Sequence, residues 1–200
     1  MRKSSNLPDF HKLFSEKKEK PWQSCLSKFI FFFFFGAICG FLWEVMLFLV
    51  KEGVFRKRGF LYGPWLPIYG FGAVIFYLFL GAHFFYKKSH PLSIFLLSAF
   101  LGGSIELISG WTLDIFWGLR YWDYTGTLLN FQGYVCLWSV LGFGIAGTLW
   151  ICYVSKFITK FWMRIPAKIR YGVNTFLIFV FLADCAAALI FPNQGRGITF

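Results

Sequence analysis

Residues 29–50 open with seven apolar side chains in a row, Phe29 to Phe35, and carry one charge, Glu44, before Lys51. That matches the ~20 apolar residues a helix needs to cross ~30 Å of hydrocarbon. Four more such segments follow, at residues 65–86, 92–117, 133–154 and 171–191. A chain crossing lipid must satisfy its own backbone hydrogen bonds. The repeated runs therefore predict an all-α, polytopic membrane bundle of about five helices. Composition agrees: 58% of the 200 residues are hydrophobic and 14% are charged, more apolar surface than a soluble domain of this length can hide. The expected layout is a basic cytoplasmic tail at 1–28, a membrane domain at 29–191 and a short tail at 192–200. The first apolar run follows a polar stretch, holds Glu44 and lacks a small-residue cleavage site, so it reads as a retained span and not a secretory signal.

The net charge of +11 sits in the ends and connections. With the amino terminus inside, 14 lysines and arginines fall in cytoplasmic segments and six outside. The positive-inside rule therefore predicts a multi-pass cell-membrane protein with a cytoplasmic amino terminus and an extracytoplasmic carboxy terminus. Lys51, Arg56, Lys57 and Arg58, in the first outer connection, depart from the rule. The bilayer is the expected partner of this charge. No separate soluble domain carries it, so nucleic acid is not.

Ionisable groups inside apolar helices are costly and are candidate functional residues by default. Gly36, Gly40 and Glu44 are spaced by four, as are Glu106, Gly110 and Asp114, so each set shares one helical face. Asp184 lies beside the small run Ala186–Ala188. In the predicted orientation Glu44, Asp114 and Asp184 sit near the outer helix ends, with Glu106 deeper. The candidate binding residues are therefore Glu44, Glu106, Asp114, Arg58, Arg120, Asp123 and Asp184, lining a polar cavity open to the outside. The alternative is a set of ion pairs that fixes helix register.

Residues 40–44 and 102–106 both read GxxxE. Downstream, Gly59, Trp65 and Gly70-Phe-Gly72 resemble Gly133, Trp138 and Gly142-Phe-Gly144. A two-helix duplication plus a fifth helix is expected. The five cysteines have no CxxC or Cys/His ligand spacing and the three histidines are scattered. No catalytic residue, metal site or cofactor is expected.

Three elements carry a family resemblance: RGFLYGPWLPIYGFGAV at 58–74, SIELISGW at 104–111 and LRYWDY at 119–124. Over roughly residues 36–153 the chain resembles the putative ABC-transporter type IV family, also called CmpB-like permeases, which includes the transmembrane-229 proteins. The resemblance implies a permease component, without substrate or catalytic residues to carry over. The chain has no GxxxxGK[ST] element, so an ATPase would be a separate subunit. Transport of a small solute or ion is thus the leading reading. The alternatives are a membrane-embedded enzyme acting on a lipid or lipid-linked phosphate, with Arg120 and Arg58 as anion ligands, and a non-catalytic scaffold. A homodimer packed through the Gly36/Gly40 face or another glycine face is a further expectation.

Overall fold

The computed structural model describes residues 20–53, 55, 59–81 and 90–191. The tail up to residue 19, Arg56, Arg58, the Lys87–Lys88 turn and the final nine residues lie outside the described residues.

Helix α1 spans Pro21–Glu52. Proline suits the first helical position, where its missing N–H costs nothing, and the Lys20 N–H is satisfied by Gln23 Oε1 at 3.1 Å. Gly53, at φ 68°, ends the helix in the left-handed conformation that glycine tolerates. At ~1.5 Å per residue α1 is about 48 Å long, longer than a bilayer core. Helix α2, Pro67–Phe76, runs into a π-helical turn, Tyr77–Gly81. Helix α3 is Pro91–Trp117, with His90 Nδ1 accepting from the Leu92 N–H at its start and Gly118 at φ 63° closing it. Helix α4, Leu137–Leu149, likewise ends in a π-helical turn, Trp150–Val154, and continues as α5, Ser155–Trp162. Helix α6 is Ala167–Ile190. Among the described residues no strand occurs beyond one isolated bridge, Phe131 to Val135.

Helix limits differ from expectation in several places: α1 begins at Pro21, inside the stretch expected as a tail at 1–28, and α6 begins at Ala167, ahead of the expected 171. Two further differences have clear physical reasons. The helix expected from 133 begins at Leu137, because residues 131–136 are tied into the preceding loop and Gly133 has φ 75°. The basic stretch 155–170, expected as a loop, is helical to Trp162 and then turns within four residues. Ser155, Ile158 and Trp162 bury one face of it and leave Lys156 and Lys160 outside.

The main packing units are two hairpins, α1 on α2 and α3 on α4. Glycines bring the helices close. A Cβ on Gly40 would strike the Tyr69 ring, and one on Gly70 would meet Phe33. In the second hairpin Gly102 faces the Phe143 ring, Gly144 faces Phe95 and Gly147 faces Ser98. Adding 62 to positions on α1 (Gly40 to Gly102) and 74 to positions on α2 (Gly70 to Gly144) converts one set of contacts into the other. The duplication is thus visible in packing, but its register differs from the string match by two residues. Gly70 corresponds to Gly144 and not Gly142, since Gly72 and Gly142 face open space. The proposed dimer face is also corrected: Gly36 and Gly40 are already covered by Tyr69 and Ala73 of the same chain.

Aromatic rings join the parts. Phe32, fully buried, meets Tyr77 and Trp150 edge-on at 5.0 Å from each, bridging the two hairpins. Phe181 docks α6 against Phe33, Phe34 and Trp65 at 5.5–5.8 Å. Such edge contacts each add about 0.5–1.5 kcal/mol beyond area burial.

Candidate functional site

The described acids of the helices all lie in the half of the bundle nearest the loops at 53–66 and 118–136. Four of them, Glu44, Glu106, Asp114 and Asp184, each accept a hydrogen bond from an aromatic side chain. Tyr69 donates to Glu44 Oε1 at 2.9 Å, Tyr124 to Glu106 Oε1 at 2.9 Å, and Tyr134 to Asp114 Oδ2 at 2.8 Å. Trp65 Nε1 donates to Asp184 Oδ2 at 2.6 Å. The exception to this aromatic pattern among the candidate acids is Asp123, which is in the loop.

These groups fall into three places. Glu44 and Glu106 form the first, brought together by the duplication. The Tyr124 hydroxyl lies within electrostatic range of Glu44 as well as Glu106, and Tyr69 within range of Glu106 as well as Glu44. Glu106 is 7% exposed, and its Oε2 is buried without a hydrogen bond. The one hydroxyl close to it, that of Ser139, is shared with the Cys136 carbonyl 2.9 Å away. A buried carboxylate oxygen without a donor is unfavourable unless it is protonated or meets a cation.

The second place is the 118–136 loop. Arg120 lies 3.5 Å from both Asp114 and Asp123, donates to the Gln132 carbonyl at 2.7 Å and sits 4.7 Å over the Tyr134 ring. Trp122 Nε1 donates to the Tyr134 carbonyl at 2.8 Å, and its ring packs against Gly110. Asp123 Oδ1 accepts from both the N–H and the hydroxyl of Thr125, which holds its carboxyl below the usual range. The result is a closed cap that carries Tyr124 down to Glu106. Burial, then Glu106, raises the Tyr124 phenol well above its ordinary value, so it remains a donor.

The third place is Asp184 alone. Its two oxygens accept the backbone N–H groups of Tyr62 and Gly63 at 2.9 and 2.8 Å in addition to Trp65. It clamps the 59–66 segment to α6, apart from the Glu44–Glu106 group. Arg58 lies outside the described residues. Among the described residues no three His, Cys, Asp or Glu side chains converge as metal ligands.

Sequence reasoning missed the tyrosines. The signal was available in one form: an apolar chain that buries acids must also supply donors, and the aromatic loops carry hydroxyls.

Outside this interior, large apolar side chains face outward, among them Phe100 at 76% exposure and Phe179 at 70%. Four helices are long and apolar enough to cross a bilayer, with a shorter apolar helix at Pro67–Gly81. A helical bundle apolar outside and polar within is an integral membrane protein. The model of the family described as Putative ABC-transporter type IV matches residues 31–189, and the chain belongs to that family. Neither a curated protein nor a solved structure matches it.

Proposed function

We propose that the chain is the membrane component of a transport system and that the Glu44–Tyr69 and Glu106–Tyr124 pairs together take up a proton or small cation. The observation that carries this reading is Glu106 Oε2, buried beside a second carboxylate system with no nearby donor among the described residues except a Ser139 hydroxyl that also bonds the Cys136 carbonyl. Two repeat-related helices supply the acids, and glycines bring each close to its partner helix so that the acids face the bundle interior and not lipid. Family membership supports transport as the class, and an ATPase would come as a separate subunit. The charge distribution favours an orientation with the acids toward the extracytoplasmic side.

Against a lipid-phosphate enzyme stands Arg120, whose guanidinium already faces two carboxylates and a carbonyl.

Infrared difference spectroscopy on the purified protein tests the proposal directly. A protonated-carboxyl band should bleach when pH is raised or a monovalent cation is added, and should be missing in Glu106→Gln. A spectrum indifferent to both, from protein that is folded, sinks the reading. Affinity purification from native membranes tests the subunit: a stoichiometric ATPase is expected, and its consistent absence removes the ABC assignment while leaving the infrared test standing.

A further inference from the structure

At the end of the bundle opposite the acids, the described charges have one sign. Seven lysines and arginines lie there, at residues 20, 28, 156, 160, 164, 168 and 170, whereas the six described acids belong to the other half. A groove of about 340 Å3 opens at this end, lined by Tyr77, Ser155, Lys156, Thr159 and Lys160. A third ammonium borders it, because Lys28 Nζ donates to the Tyr77 hydroxyl at 3.1 Å.

The same helix carries an apolar stripe. Tyr153, Phe157 and Phe161, spaced by four, are 67%, 73% and 57% exposed. Lysines flanking a helical groove in a membrane protein attract anionic lipid headgroups. The stripe flanks the lysines, and Tyr153 lies about 5–10 Å nearer the middle of the bundle than they do, the direction in which a headgroup's acyl chains run. A free phosphate or a soluble polyanion would have no use for it.

We propose that this groove binds the phosphate of an anionic phospholipid, held by Lys156 and Lys160, with the glycerol region beside Phe157 and the acyl chains running past Tyr153 toward mid-membrane. The site is independent of the acid group and of the transport reading.

The test is thermal unfolding of the purified full chain in dodecyl maltoside, titrated with phosphatidylglycerol, phosphatidylcholine or inorganic phosphate, with native mass spectrometry to count retained lipid. Phosphatidylglycerol should raise the melting temperature and remain bound one per chain. The Lys156→Gln/Lys160→Gln protein should bind it about thirtyfold more weakly, from roughly 1 kcal/mol per lysine. Arg164→Gln, which removes the same kind of charge outside the groove lining, should bind as the wild type does. Equal effects of phosphatidylcholine, a full effect of inorganic phosphate alone, or an unchanged double variant would each overturn the site. Should the double variant not fold, Lys156→Gln and Lys160→Gln singly carry the test, each with an expected loss of about fivefold, and no loss in either would overturn the site.

Discussion

The Tyr124 hydroxyl donates a 2.9 Å hydrogen bond to Glu106, taking the place of a hydroxyl that Phe143 lacks. In the first hairpin that hydroxyl belongs to Tyr69, which packs on Gly40 and bonds Glu44 four residues on. Phe143 packs on Gly102 in the same way, four residues before Glu106. Tyr124→Phe should therefore cost about 1–3 kcal/mol, the penalty for stripping a buried acceptor of its donor. Adding Phe143→Tyr should recover part of it by rebuilding the first hairpin's geometry in the second. Detergent unfolding of both proteins checks this, and no recovery in the double variant would count against the proposed correspondence of 69 and 143.

The glycines separate packing from pattern. Gly40→Ala and Gly102→Ala place a methyl against the Tyr69 and Phe143 rings, and overpacking of this kind costs about 1–3 kcal/mol. Gly72→Ala and Gly142→Ala enter open space within helices, where alanine gains about 0.5–1 kcal/mol over glycine. Melting temperatures should fall for the first pair and rise for the second. The opposite ordering would restore the register read from the Gly-Phe-Gly strings.

Asp184 predicts a separation of stability from function. Asp184→Ala leaves the N–H groups of Tyr62, Gly63 and Trp65 without their acceptor, a loss on the order of 3 kcal/mol or more. Trp65 should become more solvent-exposed, which its fluorescence would report. The carboxyl band assigned to Glu106 should persist in whatever fraction remains folded. Loss of that band in folded Asp184→Ala protein would mean that the clamp and the acid pair form one site.

Much of this was legible in the sequence, and the remainder has definite causes. Long apolar runs are dictated by lipid, so the helices around Phe29–Phe35, Glu106 and Asp184 follow from composition alone. The GxxxE spacing located the two repeat-related acids because helical period fixes which residues share a face. What spacing cannot give is the partner across a gap. Tyr124 reaches Glu106 only because the loop folds back, through the Tyr124 N–H to the Gly133 carbonyl and the Arg120 contacts. Asp184 looked equivalent to the other acids for the same reason: its three donors come from residues 62–65, more than a hundred positions away. The Gly-Phe-Gly strings misled because each holds two glycines and a different one is buried in each repeat, the first (Gly70) in one and the second (Gly144) in the other.

The 118–136 loop should have a stability plateau bounded on both sides by its own titrations. Thr125 holds Asp123 below the ordinary value of 3.8, so this carboxylate contributes stability above that value and loses it as pH falls through the folded value. The hydrogen bond to Asp114, then burial, raises Tyr134 above 10.0, so its contribution is complete below 10.0 and disappears as pH rises through the folded value. Trp122 is anchored to the Tyr134 carbonyl and reports on both edges. Its fluorescence in detergent should be flat between about pH 5 and about pH 9 and change outside that range. Thr125→Val removes the hydroxyl donor and should move the acid edge upward while leaving the alkaline edge in place. Asp114→Asn removes the charge beside Tyr134 and should move the alkaline edge downward. If either substitution moved both edges together, the loop would be responding to a single event, and the two hydrogen-bond systems would not be the independent fasteners their geometry describes.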